Sequence, residues 1–136
     1  MTAQRGRDML VKIRNEAGEF ITVAGLRSKT LTFNARTIDV TDHESVDQWR
    51  ELLPGSGVKS ADISGTGIFK DAQSDALVRQ AFFEQSTLAC QFILPDFGRV
   101  EGEFIINRLS FAGSFAGEAT YEISFTSAGA ASFTAV

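Results

Sequence analysis

Apolar and polar positions alternate along most of this chain, most regularly over residues 57–69. Ala61, Ile63, Gly65, Gly67 and Phe69 share one parity, and Ser60, Asp62, Ser64 and Thr66 share the other. A period of two predicts a long strand with one apolar face and one small polar face. The period then changes. Ala72, Ala76, Leu77, Ala81 and Phe82 recur at helical spacing behind Asp71, which predicts a helix over 71–85 with Asp71 as its cap. Phe69 and Phe83 flank that helix and are placed to pin it to the strand.

The rest of the chain reads as strands and turns. Met9, Val11 and Ile13 alternate with polar neighbours over 8–14, and residues 15–18 form a turn that ends on Gly18. A short strand follows at 20–23. Residues 28–41 form a longer one, with Leu31 and Phe33 on one parity and Ile38 and Val40 on the other. A slip of parity after Ala35 and Arg36 predicts a β-bulge in a continuous strand. Strands are expected at 87–94, 99–111 and 118–127, with a turn at 95–98 and a glycine-containing loop at 112–117. A second slip, at Asn107 and Arg108, predicts another bulge. Residues 128–136 are a small-residue tail carrying Phe133.

Four of these strands, 28–41, 58–69, 99–111 and 118–127, are long, each reaching roughly 33–45 Å at the usual rise per residue. Each has one almost wholly polar face. Those faces carry Asp39, Asp62, Glu101, Glu103, Glu118 and Glu122 among small hydroxyl residues such as Ser60, Ser64, Thr66, Thr120 and Ser124. Ile105 is the apolar exception. Arg99 is the expected cation, with Arg36 at the slip. An ordinary solvent face mixes lysine with glutamate. A small, acidic face is either a solvated surface with a charge bias or the wall of a water-filled lumen.

Between two of the long strands lie residues 42–57, more than such neighbours need for a connection. This segment holds His43, Val46, Trp49, Arg50, Leu52 and Leu53 before Pro54 and Gly55. Trp49 either folds back onto its own core or docks on a neighbouring chain, where tryptophan is enriched.

Composition removes several functions. The 136 residues are 43% hydrophobic and 22% charged, with a net charge of −4; they suit one folded domain. No basic run exists beyond Arg5 and Arg7, so the chain lacks the basic face with which a protein grips phosphates. Cys90, the one cysteine, sits on an apolar parity and is expected in the core. No secretory leader and no membrane-spanning apolar run is visible, which predicts synthesis in the cytoplasm and no membrane insertion. Residues 65–70 begin like a dinucleotide loop, but Lys70 stands where the third glycine belongs. His43 is the one histidine and lies in a polar segment without a nucleophile elbow. One histidine and one distant cysteine do not make a zinc site. No catalytic, metal or cofactor site is expected, and the chain is not read as an enzyme.

A longer signal runs through the whole chain: GRDMLVKI, FITVAGLRSKTLTFNA, VTDHES with Trp49, ELLPGSGVKSADISGTGIFKDA, LPDFGRVEGEF and FAGSFAGEATYEISFTSAG, in that order. This text resembles the major tail tube proteins of long, flexible-tailed phages, most of all the version in gene transfer agents. The resemblance implies a single domain over 1–136, mainly β with one flanking helix, in a β-sandwich or barrel tail-tube fold. It implies hexameric rings in which long strands form a shared β-barrel, stacked into a tube that conducts DNA from the capsid to a recipient cell. Residues 42–57 and the arms at 1–7 and 128–136 would contact neighbouring subunits. Partners would be further copies of the chain, other tail proteins at the tube ends and a tape measure protein in the lumen during assembly. DNA would pass without stable binding, and the protein would reside in the tail of a phage-like particle. The alternatives are an inner tube subunit of a contractile injection or type VI secretion-like system carrying protein, and a monomeric ligand-binding β-barrel.

Overall fold

A computed structural model describes residues 8–55 and 57–135. The arm expected at 1–7 lies outside the described residues. The strands are β1 (Leu10–Arg14), β2 (Phe20–Thr22), β3 (Leu26–Ala35), β4 (Lys59–Ile68), β5 (Leu88–Leu94), β6 (Gly98–Ala112), β7 (Thr120–Ser127) and β8 (Ser132–Ala135), with one helix, α1 (Gln73–Glu84). All pairings are antiparallel, in the order β2-β1-β5-β6-β7-β4-β3, and β8 also pairs with β6. Instead of two separate sheets, one continuous sheet bends around one core.

The parities expected from the sequence are those that bury. Ala61, Ile63, Gly65 and Gly67 are buried on β4; Tyr121, Ile123 and Phe125 are buried on β7. Cys90 and Phe92 of β5, Val100, Phe104 and Ile106 of β6, and Val11 and Ile13 of β1 join the same cluster. Strands from both halves of the sheet thus meet in one apolar interior, where each large side chain removed from water contributes about 1.5–3 kcal/mol. Gly67 allows β3 to close on β4: a Cβ there would overlap the Gly25 carbonyl oxygen.

The strand β6 organises the sheet. Its first half, from Gly98, pairs with β5 on one edge and β8 on the other; its second half pairs with β7 through Ala112. The register shifts between Ile106 and Arg108, so the bulge expected there is present. The tail at 128–136 is no free arm where it is described. It continues along the edge that β7 occupies, with the Ala128 amide donating to the Glu103 carbonyl at 2.9 Å, and becomes β8.

Three expectations are corrected. Residues 28–41 are not one bulged strand: β3 ends at Ala35, and the irregularity of its ladder lies between Leu26 and Ser28. Beyond Ala35 the partner register moves, so that Asp39 bridges Leu52. Asp71 does not cap the helix; it adopts φ 52°, and Ala72 is the N-cap residue. The capping carboxylate is Asp75, which accepts the Ala72 amide proton at 2.9 Å. Phe83 does not pin the helix, being 77% exposed. Ser74, Val78 and Ala81 face inward instead, and Phe69 packs edge-on against Phe111 at 5.5 Å.

Polar bonds tie the helix to the sheet through the corner after β2. The Ala24 amide donates to Ser74 Oγ at 3.0 Å, and Tyr121 Oη donates to the Ala24 carbonyl at 2.6 Å. Burial, with the Asp75 charge adding to it, pushes the Tyr121 phenol above its ordinary range. Burial, with Glu103 adding to it, does the same to the Cys90 thiol. Unfolding lets both groups ionise at their ordinary values of about 10 and about 8.5. The unfolded chain then binds fewer protons than the native one, so stability falls as pH rises. The melting temperature is expected to be level between about pH 7 and 8 and to decline progressively above about pH 8.5, as followed by circular dichroism. A thiol reagent should label Cys90 only at the unfolding transition.

Candidate functional site

The outward face of four strands, β3, β4, β7 and the second half of β6, is a uniform polar surface. The ladders align their outward residues in transverse rows. Ser28 lies opposite Thr66, Thr66 opposite Glu122, and Glu122 opposite Ser110. The next row is Thr30, Ser64, Ser124 and Arg108; the third is Thr32, Asp62, Thr126 and Ile105. Asn34 and Ser60 begin a fourth, and Asn34 Nδ2 donates to Asp62 Oδ2 at 2.9 Å. The face is a pavement of short hydroxyl side chains with few charges.

Of the acidic and hydroxyl candidates, Ser60, Asp62, Ser64, Thr66, Thr120, Glu122 and Ser124 come together on this face. Glu101 and Glu103 continue the same side of β6 beyond Ile105, where its neighbours are Gln91 and Ala89 of β5 and, at Glu101, Ser132 of β8. Gln91 Nε2 donates to Glu101 Oε2 at 3.4 Å. Glu118 precedes β7, 3.9 Å from Arg27. Asp39 lies outside the strands and accepts the Thr41 amide at 2.8 Å; the Thr41 hydroxyl and amide hold its carboxyl below the usual range.

The expectation that Arg99 supplies the cation is corrected. Arg108 stands on the four-strand face, with Nη2 3.8 Å from Glu122 Oε2, because the bulge beside Asn107 brings it into register with Ser124. The hydroxyl row of β3, from Ser28 to Asn34, also belongs to this face. Its signal was the unbroken polar parity of that segment.

Both sides of this four-strand unit have open backbone. Among the described residues β3 pairs only with β4, and residues 105–112 of β6 pair only with β7. Unpaired strand edges offer rows of N–H and C=O groups to another chain.

A second surface grows from the β3–β4 connection. The Arg36 amide donates to the Val58 carbonyl, that of Leu53 to Ile38 and that of Val40 to Glu51, all at 2.8–2.9 Å. Residues 36–53 therefore extend the ladder as a hairpin, with Arg36 still facing Val58 and the register shifting beyond it. Gly57 makes the shift possible, since a Cβ there would overlap the Arg36 carbonyl. Near the tip, residues Val46–Gln48 form a single 3-10 turn with Asp47 at φ 50°. Ser45 is buried, its Oγ accepting the Asp42 amide at 3.0 Å. Val46 and Trp49 are 72% and 74% exposed; Leu52, Leu53, Ile38 and Val40 are also exposed. Trp49 does not fold back onto its own core. His43 and Arg50 share this extension, both exposed, with His43 Nε2 4.0 Å from a Glu44 carboxylate oxygen.

No group of three or more metal-ligating side chains converges among the described residues. What the geometry offers is a polar face, two open edges and an apolar arm.

A family model of the phage tail tube protein matches residues 3–133. The chain belongs to the phage tail tube family. Among solved structures, this tail tube protein is 53% identical to a chain in the tail of an empty gene transfer agent particle refined with C6 symmetry. The match covers 97% of this chain and 99% of that one, at a TM-score of 0.93. It is 52% identical to a chain in the virion of a native gene transfer agent particle, over 97% and 99% of the two chains, at a TM-score of 0.90. The SPP1 tail tube shares the fold at 12% identity, over 97% of this chain and 79% of that one, with a TM-score of 0.71. No curated protein sequence matches the chain. The tail tube protein thus has a structural role in a virion.

The sole tryptophan reports on the arm. In the dissociated tail tube protein Trp49 should emit at the wavelength of solvated indole and be quenched freely by acrylamide. On assembly its emission should shift to the blue and the quenching constant fall several-fold, read by steady-state fluorescence before and after tube formation.

Proposed function

We propose that this protein is the repeating subunit of a tail tube, closed into hexameric rings that stack and conduct DNA. The observation that carries this reading is the pair of open edges flanking one polar four-strand face. The β3 edge of one protomer pairs with residues 105–112 of β6 in the next. Such a contact is head-to-tail, and it closes into a ring when the rotation between copies is fixed. The C6 symmetry of the related gene transfer agent tail supports six copies. Four strands from each of six copies, at the usual strand spacing and tilt, make a barrel roughly 40–50 Å between opposite backbones. That leaves room for duplex DNA.

The lumen wall in this reading is the pavement of Ser60, Asp62, Ser64, Thr66, Thr120, Glu122 and Ser124 with the hydroxyl row of β3. Glu101 and Glu103 extend it along β6. Asp62 and Glu122 outweigh Arg108, so the wall carries a small negative bias. Short hydroxyls hydrate the surface, and no array of cations holds phosphates, so a polyanion slides instead of binding. The role is mechanical, not catalytic. The hairpin extension, residues 36–53, inserts its apolar residues against adjacent subunits, as tryptophan-bearing patches do at interfaces. The subunit is made in the bacterial cytoplasm and built into the tail there, around a tape measure protein and between other proteins at the tube ends.

Deleting residues 44–52 should leave the protomer's melting curve almost unchanged and abolish tubes in negative-stain micrographs; tubes of ordinary length from that variant would sink the role given to the extension. Asp62→Lys with Glu122→Lys should preserve tube formation and slow DNA delivery, most at low salt, where charges act over longer distances. Delivery at the wild-type rate would remove the electrostatic part of the proposal.

A further inference from the structure

The four-strand unit has a knob at one end and a hole at the other. At the end where Ala112 and Ile68 both lie opposite Thr120, the loop of residues 113–119 projects beyond the sheet. Its Gly117 amide donates to the Ser114 carbonyl at 3.3 Å, closing a tight turn. At the corner of that turn Phe115 stands wholly in solvent, with a relative exposure of 108%. Ala112, Gly113, Ala116 and Gly117 flank it, so little bulk keeps another surface from closing around the ring.

At the opposite end, where Ala35 lies opposite Lys59 and Ser127 opposite Phe104, the interior of the sheet opens to solvent. The opening is a cavity of about 640 Å³ lined by Phe33, residues 58–61, Ser127 and residues 129–131. Its floor, Ala61, belongs to the buried core.

We infer that Phe115 of each protomer fills this cavity in a protomer of the next ring, and that this contact sets how rings stack. The inference rests on the tube reading above and adds the residues of the axial joint. Phe115 cannot occupy its own cavity, because the ten residues of β4 separate the two ends by roughly 33 Å. The occupant is therefore a second copy. In a barrel the strands tilt by about 35–45° from the axis, so the ends of the wall strands form the two faces of a ring. Knob and hole then face each other between successive rings, a polar head-to-tail contact that propagates without limit. Glu118, which follows the knob, is already 3.9 Å from Arg27 of its own protomer, so the joint is an apolar fit and not an ion pair. Glu118 then lies at the junction between rings, not on the wall.

The test compares the full-length wild-type chain with two variants under conditions in which it forms tubes. Phe115→Ser should keep the protomer's melting temperature and lose about tenfold or more in the association constant for tube growth, with rings or short stacks replacing tubes in micrographs. Tubes of wild-type length and dissociation temperature from this variant would overturn the inference while leaving the tube reading intact. In Phe115→Cys with Ala130→Cys, a short bismaleimide should produce a ladder of covalent multimers from assembled tubes; native Cys90 is buried and stays silent. Intact tubes that yield no ladder would likewise overturn it, even if Phe115→Ser had failed to fold. A wild-type chain that never assembles under any condition would overturn the tube reading and this inference together.

Discussion

The strand β6 imposes the constraint on which the rest of the molecule depends. Fifteen residues long, it is the one strand that belongs to both halves of the sheet. Its first half is enclosed by β5 and β8, and its core side chains Val100 and Phe104 are buried. Its second half has β7 on one edge only. The same strand therefore anchors the core and, among the described residues, leaves the backbone groups on one edge of its second half unpaired with any strand. The enclosed half and the open-edged half meet at the bulge between Ile106 and Arg108.

Much of this was legible in the sequence, because side-chain parity is a direct reading of which face is buried. The alternation in β4 and β7 identified the core face residue by residue, and the slip at Asn107 marked the real bulge. The slip after Ala35 looked the same and meant something else. A change of parity records only that the apolar side has switched. Whether the partner strand absorbs the switch or changes register depends on distant residues, here the approach that Gly57 permits at Arg36. The helix start was misplaced for a similar reason. Asp71 and Asp75 are both suitable caps, and local sequence does not say which one the chain turn before α1 will orient. The polar face was recognised, but its charge balance was not, because Arg108 joins it only through the bulge.

The chemistry of that face is notable for restraint. Most outward positions of four adjacent strands are serine, threonine or asparagine. Such residues hydrate a surface without reaching far from it, so the contour of the face is set by backbone geometry. Asp62 is engaged by Asn34, and Glu122 lies beside Arg108. The apolar content that a sheet usually shows to a neighbour is placed elsewhere, on the hairpin extension and at the ends of the strands. Polar and apolar surfaces thus occupy different parts of one small domain.

The bulge in β6 has a further consequence when copies close on themselves. In any closed barrel, strand number, stagger and tilt are linked. One extra residue in one strand is a local kink in an isolated sheet, but in a symmetric ring it recurs in every copy and enters the stagger of the whole circumference. In such a ring Asn107 would act as a gauge. A family that gained or lost a residue at this position would change the bore of its conduit while keeping the same core, the same helix and the same number of subunits.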